Sequence, residues 1–180
     1  MLKKIYVVRH CEAVGQSPDA QLTDKGFNQA FELCEFFSNI KIDQIIASPY
    51  KRAIESIQPL AKRLGLDVEI DRRLTERILS TNNLSDWFEK LRNTFEDIEL
   101  KYEGGESSRE AMNRIVEVVE EIFSRNNDHT VVVTHGNLMS LLFMFYNKDF
   151  GFDNWERLSN PDVFLLSKEG NQVTFKRIWD

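Results

Sequence analysis

Three short apolar runs, each halted by polar residues at its downstream end, constrain this chain more than any other feature. Ile5-Tyr6-Val7-Val8 stops at Arg9-His10. Residues 43–47 run through Ile45, Ile46 and Ala47 into Ser48-Pro49, with Arg52 just beyond. Residues 130–134 are a β-branched run that ends in Thr134-His135-Gly136. Runs this short and this apolar read as buried strands, and each is followed by apolar residues at helical spacing. Alternating strands and helices predict an α/β three-layer sandwich, a mostly parallel sheet with helices on both faces. Ligands of such sheets bind beyond the carboxyl ends of the strands, where all three runs place their polar residues.

The helices follow the same logic. Phe27, Ala30, Phe31, Cys34 and Phe37 mark an amphipathic helix over 24–38, with Thr23 as N-cap and Asp24 in the first turn. Ala53, Ile57, Leu60, Ala61 and Leu64 mark a second, closed by Gly65. Pro59 inside it predicts a kink or a restart. A third strand is expected at 68–70. The stretch 80–105 is polar, with Trp87, Phe88, Leu91 and Phe95 at helical spacing and Gly104-Gly105 at its end; it reads as a short helical excursion from the core. A strong helix over 107–124 is capped by Ser107 or Ser108, another runs from 136 to about 146, and a terminal hairpin turns at Glu169-Gly170-Asn171.

Length and composition set the class. The 180 residues fit one domain over 1–180, with enough chain to close a core without staples. A net charge of −6 argues against nucleic acid or an anionic membrane as partner, because both want a broad positive surface. The longest apolar stretch, Leu138 to Tyr146, is too short for a bilayer. Cys11 and Cys34 are too few for a disulfide framework or a four-cysteine metal site and read as reduced thiols of a cytoplasmic protein.

Spacing removes several chemistries. Neither histidine pairs on a helix turn nor clustered cysteines are present for zinc. A cysteine-phosphatase loop starting at Cys11 fails because Ser17 stands where its arginine is required, and no glycine-rich run precedes a Lys-Ser or Lys-Thr pair. Histidine chemistry on a phosphoryl group remains. Neutral imidazole is a good nucleophile, Arg9 and Arg52 can clamp equatorial oxygens with planar guanidinium groups, and a second, protonated histidine can share that charge. Glu76, after the third strand, is the leading carboxylic acid for protonating the leaving oxygen. His129 lies at the opposite end of its strand, reads as solvated, and is left out.

At this point the chain resembles a known family. Val8-Arg9-His10-Cys11-Glu12 is similar to the signature of the histidine phosphatase superfamily, in its phosphoglycerate-mutase-like branch. Leu22-Thr23-Asp24-Lys25-Gly26, Ser48-Pro49-Tyr50-Lys51-Arg52-Ala53, Leu74-Thr75-Glu76, Gly104-Gly105-Glu106-Ser107 and Val133-Thr134-His135-Gly136 resemble its later landmarks in the same order. The resemblance implies a phosphoglycerate mutase-like fold with His10 as nucleophile, Arg9, Arg52 and His135 completing the phosphate pocket, Glu76 as acid and then base, and Gln16 as a phosphate-contacting amide. It implies no metal and no organic cofactor. Cys11 replaces the usual glycine after the nucleophile, and is either a tolerated small side chain or a redox-sensitive thiol. Ala13 replaces a common hydroxyl residue. Arg77-Ile78-Leu79-Ser80 replaces the tryptophan motif that often follows the acid, so Glu12 and Glu106 stand as fallback carboxylates.

The function expected is therefore hydrolysis of small-molecule phosphate monoesters through a phosphohistidine. The alternatives are a cofactor-dependent phosphoglycerate mutase, for which Arg72, Arg73, Arg77 and Lys90 supply extra positive charge, and a non-catalytic phosphate-binding regulatory domain. Trp87, Phe88 and Phe95 either anchor the excursion to the core or wall the pocket, in which case aryl or other hydrophobic esters are favoured. The oligomeric state is left open.

Overall fold

In the computed structural model, which describes residues 1–180, the chain runs β1 (Lys3–Arg9), α1 (Asp24–Phe36), β2 (Gln44–Ala47), α2 (Lys51–Leu64), β3 (Val68–Ile70), α3 (Trp87–Glu96), α4 (Ser108–Ser124), β4 (His129–Thr134), α5 (Gly136–Tyr146), α6 (Phe152–Glu156), β5 (Asp162–Glu169) and β6 (Gln172–Arg177). The strands form one six-stranded sheet in the order β3-β2-β4-β1-β5-β6. β1, β2, β3 and β4 pair in parallel, and β5 and β6 add an antiparallel edge.

Period-two alternation explains the two cores. Ile5 and Val7 of β1, Ile46 of β2 and Val132 of β4 bury against α4 and α5. Tyr6, Val8, Ile45, Val131 and Val133 point the other way and bury against α1 and α2. A strand buried on both faces is apolar at every position, which is why these runs lack polar alternation. Each such side chain contributes roughly 1.5–3 kcal/mol by leaving water.

The helix ends are built as the sequence predicts. Thr23 caps α1 by accepting from the Gly26 amide at 3.0 Å, Ser107 caps α4 by accepting from the Glu110 amide at 3.1 Å, and Gly65 closes α2 at φ +65°. Three features differ from expectation. α2 runs through Pro59 without a restart, its flanks held by buried Ile57, Leu60 and Ala61. A single 3₁₀ turn (Arg72–Leu74) follows β3. The five-residue α6, with Phe152 buried, lies where no periodicity was long enough to reveal a helix.

This topology brings the site together. β4 lies between β1 and β2, so the three carboxyl ends carrying Arg9-His10, Ser48 and Thr134-His135 are adjacent. The His10 amide donates to the Thr134 carbonyl at 3.2 Å and the Ser48 amide to the Val133 carbonyl at 3.0 Å, extending the ladders to the site's edge.

Candidate active site

His10 sits just past the end of β1, buried at 8% exposure. Its Nδ1 lies 2.7 Å from the Cys11 carbonyl. A carbonyl only accepts, so the ring proton is on Nδ1 and the lone pair is on Nε2. Nε2 accepts from Arg52 Nε at 3.3 Å. Burial, joined by the nearby Arg52 and Arg9 charges, lowers the His10 pKa to about 3 despite the opposing Cys11 hydrogen bond. A neutral imidazole with its nucleophilic nitrogen pinned beside a guanidinium is the outcome.

The loop carrying His10 is fixed from both sides. The Asn160 amide side chain donates to the His10 carbonyl at 2.9 Å, and the Cys11 amide donates to Ser56 Oγ of α2 at 2.8 Å. The Glu12 amide donates to Gln29 of α1, and Glu12 Oε1 accepts from Thr23 at 2.9 Å. Gly26 is required there: a Cβ would lie 2.0 Å from the Glu12 carbonyl oxygen.

Arg52 leaves the first turn of α2 and is almost wholly buried. Its Nη1 donates to the Ser17 carbonyl at 2.8 Å and the Gln16 carbonyl at 3.2 Å, and its guanidinium lies 5.0 Å from the Tyr50 ring centroid. Arg9 is held by the Leu158 and Ser159 carbonyls through Nη1. Gly136, the first residue of α5, leaves room for it, since a Cβ would meet Arg9 Nε at 2.9 Å.

His135 is fully buried, its ring 5.1 Å centroid to centroid from His10 and 4.9 Å from Tyr50. Its Nε2 lies 2.9 Å from Ser48 Oγ. Burial first, then the His10, Arg52, Arg114 and Arg9 neighbours, hold its pKa well below the usual imidazole range. The protonated partner expected from the sequence is therefore neutral in the free site. Five buried side-chain nitrogen or oxygen atoms in the chain lack a partner, and three belong here: Arg9 Nε, His135 Nδ1 and Asn137 Oδ1. Unpaired buried polar atoms are costly, so these call for a hydrogen-bonding partner that the chain itself does not supply.

Glu76 follows the 3₁₀ turn and faces the same cavity as Arg9, Gln16 and Asn137. Its Oε1 accepts from the Arg77 and Leu138 amides at 2.8 and 2.9 Å, and Oε2 accepts from the Asn137 amide at 3.1 Å, so the carboxyl is docked on the N-terminus of α5. Arg114 of α4 steadies the segment by donating to the Arg73, Thr75 and Glu76 carbonyls while pairing with both oxygens of Glu106.

A family model described as the histidine phosphatase superfamily (branch 1) matches residues 5–180. The chain belongs to that superfamily. Phosphoserine phosphatase 1 of Hydrogenobacter thermophilus is 30% identical over 145 residues, covering 72% of this chain and 69% of its own. Among solved structures, a mycobacterial glucosyl-3-phosphoglycerate phosphatase in complex with inorganic phosphate superposes with TM-score 0.79 at 24% identity, covering 98% of this chain and 96% of that one. A phosphoglycerate mutase from Bacillus anthracis superposes with TM-score 0.76 at 17% identity, covering 98% and 92%. These two share the fold, which is the phosphoglycerate mutase-like three-layer sandwich.

In this histidine phosphatase the other sequence candidates sort cleanly. His10, Arg52 and His135 meet directly, and Arg9, Gln16 and Glu76 line the adjoining cavity. Cys11 is fully buried beneath α2, and burial pushes its thiol up to about 12. That geometry opposes the redox-sensitive reading, which requires an accessible thiolate. Glu12 and Glu106 are engaged with Thr23 and Arg114 and line no part of the cavity. His129 opens β4 at the far end of the sheet, half-buried rather than solvated. Asn137, Trp155 and Leu79 line the cavity and were missed. Asn137 had a signal, being two residues past His135 at a helix start; Trp155 had none, because α6 is too short to show a period.

Proposed function

We propose that this histidine phosphatase hydrolyses small-molecule phosphate monoesters through a phosphohistidine at His10. The observation that carries this reading is the pinned tautomer: an uncharged Nε2 lone pair at Arg52, beside His135 and the unpartnered Nε of Arg9.

The chemistry follows from the groups present. Arg9, Arg52 and His135 Nδ1–H bind the phosphoryl oxygens, and Gln16 adds an amide at the rim. His10 Nε2 attacks phosphorus, the P–N bond forms, and the P–O bond to the alcohol breaks in line. Glu76, as the carboxylic acid, gives its proton to the departing alkoxide. The resulting carboxylate then takes a proton from water, whose oxygen attacks phosphorus. The P–N bond breaks and inorganic phosphate leaves with His10 neutral again. His135, neutral in the free site, gains reason to protonate only when an oxyanion arrives, so the positive charge follows the ligand. No step calls on a metal or an organic cofactor, and the reactant is a small phosphate ester rather than nucleic acid or membrane.

Hydrolysis is favoured over mutase action by where the extra cations lie. Arg73 pairs with Asp71, Glu117 and Glu121, Lys90 with Asp86, and Arg77 with the Glu106 carbonyl, Thr94 and Ser108. Arg72 lines no part of the cavity. None of these four cations is free at the cavity to grip the second phosphate of a priming bisphosphate. Incubation with 3-phosphoglycerate separates the two: phosphate release faster than isomerisation supports the hydrolase, and the reverse order supports the mutase. Binding of vanadate with no turnover over a panel of sugar, aryl and nucleoside phosphates would instead support the regulatory domain.

A further inference from the structure

The cavity beyond the phosphate groups has two unlike halves. One set of lining residues is polar, Arg9, Gln16, Glu76, Arg77 and Asn137, and the other is apolar, Leu79, Trp87, Leu91 and Trp155. The whole encloses about 540 Å³, enough for a phosphoryl group and a ring-sized substituent.

The wall is rigid. Phe88 and Phe95 of α3 pack edge-on against Phe152 of α6, with centroids 5.2 and 5.9 Å apart, and Trp155 lies 5.3 Å from Phe152. The Arg92 guanidinium covers Phe152 at 4.9 Å. These contacts tie Phe88 and Phe95 to α6, and although Phe88 keeps 38% exposure neither lines the cavity. Trp87 is spared: it touches Phe88 edge-on at 5.6 Å, stays 51% exposed and lines the cavity. A tryptophan left half in water at a pocket mouth has apolar area to give to a ligand.

Charge tells the same story. Three titratable groups line this cavity: Arg9, Glu76 and Arg77. Arg9 is taken up by the phosphoryl group in the mechanism proposed above, and Arg77 is buried and spent on the Glu106 carbonyl, Thr94 and Ser108. A second anion on the substrate would find the amides of Gln16 and Asn137, an apolar wall and the Glu76 carboxyl.

Resting on the hydrolase reading above, we propose that Trp87 and Trp155 form a leaving-group subsite for aromatic or bulky apolar alcohols, and that esters carrying a carboxylate, such as phosphoserine or phosphoglycerate, are poor substrates. The preference is one of transition-state and ground-state binding by apolar burial, and so resides in kcat/KM.

The test matches leaving-group chemistry between its two alkyl esters. 3-Phenylpropyl phosphate, propyl phosphate and O-phosphoserine are all esters of primary alcohols and differ in the tail. The wild-type enzyme should prefer phenylpropyl over propyl phosphate by on the order of 10–100-fold in kcat/KM, the worth of burying a phenyl group, with phosphoserine last. Trp87→Ala should cut that ratio to about threefold or less, and Trp87→Phe should retain most of it. Trp155→Ala should act in the same direction. A ratio near one, or phosphoserine ranking first, overturns the proposal while leaving the hydrolase reading intact. Dissociation constants for phenylpropylphosphonate and propylphosphonate supply the same ratio without turnover. If no ester is hydrolysed, the hydrolase reading fails, and equal phosphonate affinities would overturn the subsite as well.

Discussion

Replacing His10 by Gln should make the protein less sensitive to acid. In the folded chain His10 is buried beside two arginines and titrates at about 3, against 6.5 for a free imidazole. Between those values the unfolded chain binds a proton that the folded chain refuses. The sign follows: this contribution to stability is intact above pH 6.5 and is lost as pH falls toward 3. The loss is about 1.4 kcal/mol per pH unit, so by about pH 4.5 the wild-type protein has given up about 3 kcal/mol through this one ring. Gln keeps the volume and a hydrogen-bonding end but cannot titrate. Urea denaturation of both proteins at pH 7 and about pH 4.5, in phosphate-free buffer, reads the difference. The stability gap should move by about 3 kcal/mol in favour of the variant on going to the lower pH. Parallel losses in the two proteins would mean that His10 accepts a proton in the folded state, and the argument for a pinned, neutral nucleophile would fall.

Three further outcomes follow from the geometry. Arg52→Ala removes the guanidinium that donates to His10 Nε2 and that the proposed mechanism sets on the phosphoryl group, and should lower kcat/KM on the order of 10²–10³-fold in steady-state assays. Glu76→Gln should slow alkyl phosphates far more than p-nitrophenyl phosphate, because a good leaving group needs little protonation; equal losses on both would remove Glu76 from the acid role. Gly136→Ala places a methyl 2.9 Å from Arg9 Nε and should weaken phosphate inhibition with little loss of thermal stability, as read by inhibition constants and a melting curve.

Much of this was legible because strand ends are easy to read. The central runs Ile5–Val8, Ile45–Ala47 and Val131–Val133 are apolar at every position, as strands buried on both faces must be, and the chemistry begins just beyond each. Adjacency of those ends was not written in any one run. It arises because β4 inserts between β1 and β2, a long-range pairing. The state of His135 without ligand was not legible for a related reason: burial, which lowers its pKa in the free site, comes from that same long-range pairing. The sequence left Trp87, Phe88 and Phe95 equivalent, all on one helical excursion. Only α6, invisible to periodicity, decides that Phe88 and Phe95 pack against Phe152 while Trp87 lines the cavity.

The central claim concerns one nitrogen. Rapid mixing with a ³²P-labelled ester, quenching in alkali and mapping the labelled peptide reads it directly. Nearly stoichiometric, acid-labile and alkali-stable phosphate on the peptide containing His10, formed before the first turnover ends and absent in His10→Gln, is the result this account predicts. Turnover by wild-type enzyme with no such adduct, or label on another residue, would contradict it.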